Sequence, residues 1–329
     1  MKGAGAFILG TGRAIPSRVL TNRDLEKMVD TSDEWITLRT GIKERRLVDE
    51  GESNSQLAIS ASQKALERAG VSPEELDLII VATLTPDYLM PSVAVLVQQA
   101  LGAKRAGAFD LSATCSGFLY GLSIADKFVR EDPKRKILVI GSEVLSHKTN
   151  WEDRTTCVLF GDGAGAVVVT GSLDGKRGVL STHLHADGSL WHLLTLKGGG
   201  SLYPPFDPRL PREEYYIRMQ GREVFKQAVR AMESVTLEAL ETGGLRPEEI
   251  TLFIPHQANI RIIEFLRERL GLPKERVFVN IHKYGNTSAA SIPMALDEAV
   301  EEGRLCPGDP VLMVAFGGGF TWAAVLMRW

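Results

Sequence analysis

Cysteine is scarce in this chain, and so are long uncharged runs. Three cysteines occur among 329 residues, at positions 115, 157 and 306. They are too few for a disulfide framework and too far apart for a CxxC metal site, which favours a reducing, cytoplasmic setting. No apolar run is long enough to span a bilayer, and the glycine-rich first ten residues lack the apolar stretch of a signal peptide. We therefore expect a soluble, cytoplasmic protein.

A large net charge is also absent. Thirty-eight basic residues stand against 41 acidic ones, which gives a net charge of −3. This balance provides no overall attraction to nucleic acid or to anionic lipid. Hydrophobic residues make up 44% of the chain and charged residues 24%, a composition that excludes a disordered or fibrous protein. The length suits about two domains.

An internal repeat is present at an offset of 174 residues. Residues 65–81 and 239–255 are identical at nine of 17 positions. The same offset aligns residues 137–140 with 311–314, and the segment around Cys115 with the segment around Ala289. Three segments that share one offset indicate a duplicated unit.

Each copy of the repeat has the same predicted plan. A helix ends at glycine, and a Pro-Glu-Glu turn, a strand, a Gly/Ser/Thr-rich turn, a second helix and a second strand follow. The predicted strands are 76–82, 136–141, 250–255 and 310–316, and the helices after the turns are 116–130 and 290–302. Apolar strands alternating with helices indicate α/β layers with buried sheets. We expect two packed halves, residues 1–174 and 175–329, with a site between them. Two long ordered loops, 84–91 and 198–211, are expected near the site or a subunit interface.

Cys115 is the cysteine best placed for chemistry. It directly precedes the predicted helix 116–130, and the positive end of a helix favours a thiolate. Taken alone, it is equally well a buried structural cysteine. Cys157 and Cys306 lack such a setting, and we expect them to be structural.

Two polar residues of the second half are candidate partners of Cys115. His256 directly follows a predicted strand, and the turn that contains Asn286 occupies, through the repeat, the position that Cys115 holds in the first half. A histidine at a strand end is by itself often merely hydrogen-bonded. The three residues together form a nucleophile with two polar partners.

Other motifs leave two interpretations open. Gly317 to Gly319 offer backbone N–H groups to an oxyanion, or form a tight turn. Trp35 and the arginines of segment 31–46 suit a nucleotide, or belong to a solvated helix end. The glycines of 160–166 precede a predicted strand, so they do not form a dinucleotide site.

Several motifs in order together resemble the β-ketoacyl-acyl-carrier-protein synthase III family. They are TSDEWITLRTGIKERR (31–46), ATCSGF (113–118), FGDGAGA (160–166), PHQANIRI (255–262), HKYGNTSAASIPMALDEA (282–299) and AFGGGFTW (315–322). The resemblance implies a thiolase-like duplicated fold, an αβαβα layered sandwich that forms homodimers. It also implies the initiating condensation of type II fatty-acid synthesis.

The resemblance assigns roles to the candidate catalytic residues. Cys115 takes the acyl group of acetyl-CoA or another short acyl-CoA. His256 and Asn286 then hydrogen-bond the thioester oxygen of malonyl-carrier-protein as decarboxylation makes an enolate, which attacks the acyl-cysteine. The N–H groups of Cys115 and Gly318 form the oxyanion hole. No metal or redox cofactor is implied, because the CoA thioester is itself the substrate.

The resemblance also implies three binding surfaces. The CoA-binding residues are Trp35, Arg39, Thr40, Arg154 and, in the pantetheine tunnel, Asn259. The acyl pocket involves Phe316 and Met90, of which Met90 closes the pocket of the partner subunit, where the family often has phenylalanine. The acidic acyl carrier protein meets Lys226, Arg261 and Arg269, and Glu268 lies where a family member carries lysine.

Alternative functions differ in the residues they require. A related acyltransferase of the HMG-CoA-synthase or polyketide type shares these motifs. A thiolase needs a second catalytic cysteine where Gly317 to Gly319 stand, and a papain-like protease has its cysteine near the N-terminus among disulfides. A non-catalytic acyl-binding protein is expected to lack the nucleophile. Cys115, His256 and Asn286 are all present.

Overall fold

The computed structural model describes residues 5–172 and 176–329, which form helices and strands in alternation. The strands are β1 (Ala6–Ala14), β2 (Arg18–Thr21), β3 (Glu44–Leu47), β4 (Leu78–Ala82), β5 (Gly107–Leu111), β6 (Ile137–Glu143), β7 (Gly163–Gly171), β8 (Gly178–Ala186), β9 (Leu194–Thr195), β10 (Arg218–Met219), β11 (Leu252–Pro255), β12 (Pro310–Gly317) and β13 (Thr321–Arg328). The helices are α1 (Asn22–Leu25), α2 (Asp33–Thr40), α3 (Asn54–Ala69), α4 (Val93–Leu101), α5 (Gly117–Glu131), α6 (Gly221–Gly243), α7 (Ile260–Arg269), α8 (Ile281–Tyr284) and α9 (Ser291–Glu301).

Two mixed sheets repeat one topology. The first has the strand order β1-β7-β6-β4-β5 and the second the order β8-β13-β12-β11. In the first sheet, the parallel pair β4 and β6 places Leu78 opposite Ile137. In the second, β11 and β12 place Leu252 opposite Val311, so both partners are shifted by the 174 residues of the sequence repeat. The counterpart of β5 is reduced to a single bridge between Phe253 and Val277.

The helices form three layers around the two sheets. Helices α3 and α4 pack on the outer face of the first sheet, and α6 and α7 pack on the outer face of the second. Helices α5 and α9 lie between the sheets, where their apolar residues share one buried cluster with strands of both. Burial of these sheets on both faces explains the nearly continuous apolar strands. The predicted αβαβα sandwich is confirmed.

The predicted elements of the repeat agree closely with the structure. The four predicted strands correspond to β4, β6, β11 and β12, and the two helices to α5 and α9, with ends within about three residues. Segments 84–91 and 198–211 contain no helix or strand, as expected. The predicted boundary between residues 174 and 175 lies outside the described residues. Across residues 5–172 and 176–329, no helix has the length and hydropathy needed to cross a membrane.

Candidate active site

A pocket of about 400 Å³ brings the sequence-predicted catalytic residues together. Its wall includes Cys115, His256 and Asn286, together with Phe316 and Gly318. The first half contributes the turn before α5, and the second half contributes the ends of β11 and β12 and the turn before α9. The pocket therefore lies where the two halves of the duplicated fold meet.

Cys115 lies in a strained turn at the start of α5. The turn is the short 3₁₀ segment Thr114–Ser116, and Thr114 has φ +48°, a left-handed conformation that costs a non-glycine residue about 1–2 kcal/mol. Thr114 Oγ1 donates a 3.0 Å hydrogen bond to the carbonyl of Gly318. Ser116 Oγ donates one of 3.1 Å to Thr321 O. Strain of this kind persists where surrounding contacts fix it, and here it presents a partly exposed thiol to the pocket.

The proton of Cys115 stays on sulfur in the resting site. Burial raises the pKa of the thiol to about 12, and the nearby carboxylate of Glu143 adds to this rise. At the start of α5, the effect of the helix end, which favours a thiolate, is therefore opposed by burial, which favours the protonated thiol. The partial positive charge of that helix end instead assists when charge develops on the sulfur, and the proton has to move during the reaction.

The glycine turn after β12 approaches the nucleophile at backbone distance. A Cβ atom added to Gly317 would lie 2.7 Å from the backbone nitrogen of Cys115 and 2.1 Å from Thr114 Oγ1. Only glycine permits this approach. Position 317 therefore requires glycine because of close packing and not because of its φ angle. Cys115 and Gly318 both line the pocket, and the Gly318 carbonyl accepts a hydrogen bond from Thr114, the residue before Cys115.

His256 is a neutral hydrogen-bond donor. It is 2% exposed, and burial lowers the pKa of its imidazole to about 3. Its Nδ1 lies 2.9 Å from Ser291 Oγ, and that oxygen already accepts a 2.8 Å hydrogen bond from the backbone N–H of Gln257. In the tautomer in which the Ser291 hydroxyl donates to Nδ1, the imidazole proton lies on Nε2 and faces a ligand as a donor. Nε2 has no partner among the described residues and belongs to a side chain on the pocket wall.

Asn286 is oriented in the same way. Its Oδ1 accepts a 2.9 Å hydrogen bond from the backbone N–H of Ser288, and its backbone pairs with the segment around Phe160. Because the carbonyl oxygen is engaged, the amide nitrogen is the group left to serve a ligand. His256 and Asn286 therefore offer two N–H donors to the same pocket as Cys115.

The remaining pocket wall is largely apolar. Phe316 is 6% exposed and packs on Phe320, with 4.7 Å between the ring centroids. Asn259 caps α7 by accepting a 2.9 Å hydrogen bond from Arg261 N, and it lies on the wall as predicted for a tunnel residue. The apolar wall residues include Leu84, Leu145, Phe160, Leu194, Ile217, Val224, Phe225 and Ile262.

A second surface contains most of the residues predicted to bind the nucleotide of CoA. The guanidinium carbons of Arg154 and Arg39 lie 5.1 Å and 5.8 Å from the ring centroid of Trp35. Thr40 does not join this surface. It is 4% exposed, and its hydroxyl bonds Ile36 O and Ile42 N, so it closes the end of α2 instead.

The other predicted binding residues lie outside the pocket. Met90 is 85% exposed, and the pocket wall does not include it. Lys226 pairs with Glu223 at 2.9 Å, and Arg269 pairs with Glu233 at 2.7 Å. Arg261 lies over the ring of Phe225, 5.5 Å from its centroid.

Sequence reasoning missed three polar residues around the nucleophile and the histidine. Ser291 hydrogen-bonds to His256. Ser288 and the fully buried carboxylate of Glu143 both act on the Cys115 thiol. The two serines lie within the segment 282–299, but no pattern distinguishes them there. The repeat offset pairs Glu143 with Gly317, which is a signal that could have drawn attention to both positions.

Comparisons with known proteins agree along the whole chain. The family profile described as "3-Oxoacyl-[acyl-carrier-protein (ACP)] synthase III" matches residues 109–188, and the profile described as its C terminal matches residues 240–329. A curated relative from Aquifex aeolicus, beta-ketoacyl-[acyl-carrier-protein] synthase III, is 58% identical over 99% of this chain and 100% of its own length.

Solved structures give the same result. The crystal structure of 3-oxoacyl-[acyl-carrier-protein] synthase III from Aquifex aeolicus has a TM-score of 0.92 at 58% identity, covering 99% of this chain and 100% of that chain. The priming β-ketosynthase of the R1128 polyketide pathway has a TM-score of 0.93 at 38% identity, covering 99% and 97%. The chain belongs to the β-ketoacyl-[acyl-carrier-protein] synthase III family of condensing enzymes.

Proposed function

We propose that this chain catalyses the decarboxylative condensation of a short acyl-CoA, acetyl-CoA first among them, with malonyl-acyl-carrier-protein. The products are 3-oxoacyl-carrier-protein, CoA and CO2, and the reaction initiates type II fatty-acid synthesis. One observation carries the proposal: a partly exposed cysteine and two oriented N–H donors line one pocket. Family membership supports the same reaction.

In the first half-reaction, the Cys115 sulfur attacks the thioester carbonyl of acyl-CoA. The Sγ–C bond forms, the bond between carbon and the CoA sulfur breaks, and the thiol proton ends on CoA. Negative charge develops on the carbonyl oxygen in the transition state. We assign the amides of Cys115 and Gly318 as the donors that hold this charge, and removal of one such donor typically costs about 10²–10³ in rate.

In the second half-reaction, malonyl-carrier-protein enters and loses CO2. The electrons of the broken C–C bond form an enolate whose oxygen accepts hydrogen bonds from His256 Nε2–H and the Asn286 amide. Because the His256 pKa is about 3, the imidazole stays neutral and acts as a donor without releasing a proton. The enolate carbon then attacks the carbonyl of the acyl-cysteine, the bond from that carbon to Sγ breaks, and the Cys115 thiolate takes up a proton from water.

The decisive experiment is labelling with acetyl-CoA followed by peptide mass spectrometry. We expect one acetyl group per chain, located on Cys115, and none in Cys115→Ala. His256→Ala and Asn286→Ala should lose malonyl decarboxylation far more than acetyl transfer. Acetylation that persists in Cys115→Ala, or equal loss of both half-reactions in the other variants, overturns these assignments.

We infer that CoA enters past Trp35 and Arg154, whose ring and guanidinium suit an adenine and its phosphates. Asn259 then lies along the path of the pantetheine arm to Cys115. The proposed reaction uses only these side chains and the CoA thioester as substrate. Prolonged treatment with EDTA is therefore expected to leave the condensation rate unchanged, and a loss restored by added metal would contradict this.

The acyl carrier protein is expected to dock on the first turns of α6. The inner face of these turns lines the pocket through Val224 and Phe225, and the outer face exposes Arg222, Lys226 and Arg230 at four-residue spacing. This row extends the predicted patch of Lys226, Arg261 and Arg269. Within this row, Arg222 and Arg230 add positive charge beside Lys226 and Arg269, whose charges are already paired with glutamates.

A homodimer is the expected assembly. Strand β5 ends the first sheet with an edge that can pair with another strand. The nearby loop exposes Tyr88, Leu89 and Met90, by 60%, 89% and 85%, which is unusual for apolar side chains in contact with water. A partner subunit would bury this loop and receive Met90 at its acyl pocket. Sedimentation at twice the chain mass of 36.0 kDa is the expected result.

Priming of a polyketide is the second candidate function, favoured by the 38% identity to the R1128 priming ketosynthase. The two functions differ in the acyl group that Cys115 accepts. A panel of acetyl-CoA, branched and longer acyl-CoA with malonyl-carrier-protein separates them. Preference for acetyl-CoA supports fatty-acid initiation.

A further inference from the structure

A buried carboxylate lies behind the nucleophile with half of its hydrogen-bonding capacity unused. Glu143 ends β6 and is 0% exposed. Its Oε2 accepts hydrogen bonds from Thr85 Oγ1 at 2.6 Å, Leu84 N at 3.1 Å and Thr83 Oγ1 at 3.2 Å. Its Oε1 is buried and has no partner among the described residues. A buried acceptor without a partner is costly, so this oxygen calls for a functional explanation.

Ser288 lines the pocket together with Cys115, and its turn packs against both the Cys115 turn and strand β6. Its hydroxyl is buried and has no hydrogen-bond partner among the described residues. The hydroxyl nevertheless interacts with both the Cys115 thiol and the Glu143 carboxylate, and it lowers the pKa of each. Ser288 is held in place by a strained backbone with φ +48°. The Ser288 hydroxyl is therefore the polar group that acts on both the Cys115 thiol and the Glu143 carboxylate.

We propose that Glu143 accepts the thiol proton of Cys115, through the Ser288 hydroxyl, while the acyl group is transferred to the sulfur. This inference rests on the acylation of Cys115 proposed above. As the Sγ–C bond forms, the thiol proton moves to Ser288 Oγ and the hydroxyl proton of Ser288 moves to Glu143 Oε1. As the bond to CoA breaks, Glu143 returns the proton to Ser288 Oγ, the Ser288 hydroxyl gives its own proton to the CoA sulfur, and CoA leaves as a thiol.

Charge balance favours this route. Before the transfer the pair is a neutral thiol with a carboxylate, and after it a thiolate with a neutral acid. The buried site carries one negative charge in both states, so no second charge is buried. Ser288 exchanges a proton with the reacting sulfur and is a catalytic residue in this scheme, whereas Glu143 acts through it.

His256 is the competing proton acceptor on the pocket wall. Its pKa of about 3 makes it a weak base at neutral pH. The pKa of Glu143 is raised by burial to about 7, close to the pH at which a general base is most effective. Among the described residues, Glu143 is the charged group that acts on the Cys115 thiol. Acylation should therefore depend on the ionisation of one carboxyl group.

The test is the pH dependence of single-turnover acetylation by acetyl-CoA, followed by rapid quench and intact-protein mass spectrometry. In the wild type, we expect the rate to fall about tenfold per pH unit below pH 7, because only the ionised carboxylate accepts the proton. Glu143→Gln should lose this acidic limb and acetylate about 10²-fold more slowly at pH 8. Ser288→Ala should do the same.

Matched variants separate this role from a structural one. Asp162→Asn neutralises another fully buried carboxylate, one that accepts hydrogen bonds from Ser146 and Val48. Ser62→Ala removes a buried hydroxyl that bonds within α3. Both should keep the acidic limb of the wild type. Malonyl decarboxylation by pre-acetylated Glu143→Gln should stay within about threefold of the wild type, because that step does not involve the thiol proton.

Retention of the wild-type limb in either Glu143→Gln or Ser288→Ala overturns the proposal. If Glu143→Gln fails to fold, Ser288→Ala decides alone, since it removes one hydroxyl and leaves the charge. Failure of the proposed function looks different: the wild type itself would not be acetylated on Cys115.

Discussion

Substitution of Gly317 by alanine tests how close the oxyanion donors lie to the nucleophile. The added Cβ would lie 2.7 Å from the Cys115 backbone nitrogen, whereas ordinary contact begins at 3.4 Å. The two backbone segments must therefore separate by the difference, about 0.7 Å. An oxyanion donor acts at about 2.7–3.1 Å, so this displacement exceeds the range over which the hydrogen bond is effective.

Two magnitudes follow for Gly317→Ala. Loss of one effective oxyanion donor should slow acetylation of Cys115 by about 10²–10³, and overpacking should lower the free energy of unfolding by about 1–3 kcal/mol. The first is measured by single-turnover acetylation and the second by urea denaturation. Gly188→Ala is the matched control, because a Cβ at Gly188 meets nothing within 4 Å.

A double variant separates the two close contacts of position 317. Thr114→Ala removes the hydroxyl oxygen that a Cβ at 317 would meet at 2.1 Å, but not the backbone nitrogen at 2.7 Å. Combined with Gly317→Ala, it should recover part of the stability and none of the acetylation rate. Gly317→Ala that acetylates within about threefold of the wild type would refute the backbone approach as the source of the oxyanion hole.

Three further predictions concern groups around the pocket. Ser291→Ala removes the hydroxyl at His256 Nδ1, so nitrogen NMR spectra should show a smaller fraction of the Nε2–H tautomer. Malonyl decarboxylation should fall about tenfold, and acetyl transfer should change little. The pKa of His256 is about 3 in the native protein and ordinarily 6.5, so between these values only the unfolded chain gains a proton. This should lower the free energy of unfolding of the wild type by up to about 1.4 kcal/mol for each pH unit below 6.5. His256→Gln should abolish this loss, as measured by urea titrations at several pH values. Charge reversal of Lys226 and Arg230 should raise KM for malonyl-carrier-protein at low salt and leave KM for acetyl-CoA unchanged, and an equal rise in both would remove α6 from the docking surface.

The duplicated architecture was predictable because it is recorded in the sequence as a periodic pattern. The Pro-Glu-Glu turn and the apolar strands after it recur at one offset, and the structure shows that offset again in the register of β4 with β6 and of β11 with β12. Cys115, His256 and Asn286 were predictable for the same reason, since each lies at the end of a recurring element. Their meeting in one pocket follows from the packing of the two halves.

Electrostatic details of the site were not predictable in this way. A helix start favours a thiolate, but the burial of Cys115 and the proximity of Glu143 determine its pKa, and both arise from contacts between residues far apart in sequence. Thr40 is a comparable case. Its position in a nucleotide-binding motif says nothing about its hydroxyl, which bonds Ile36 and Ile42 within its own turn.

The two halves differ at one pair of positions that explains why only one holds a nucleophile. Thr114 and Ser288 are equivalent through the repeat, and both have φ +48°. The first faces Gly317, and the second interacts with Glu143, which is the repeat equivalent of Gly317. Gly317 lets its backbone approach the turn of Cys115. Glu143, at the equivalent position of the other half, places a carboxylate beside the turn of Ser288.

This difference predicts the behaviour of a transplanted nucleophile. Ala289 is the repeat equivalent of Cys115 and is 1% exposed. In the double variant Cys115→Ala, Ala289→Cys, the new thiol lies at a helix start, but Glu143 stands where Cys115 has Gly317, so a carboxylate replaces the glycine turn. We expect no acetyl adduct by mass spectrometry after incubation with acetyl-CoA, while a denatured sample should show the thiol reacting with iodoacetamide. An acetyl adduct on residue 289 would show that a helix start alone suffices to activate a cysteine. The difference between Gly317 and Glu143 would then not explain why only the first half holds the nucleophile.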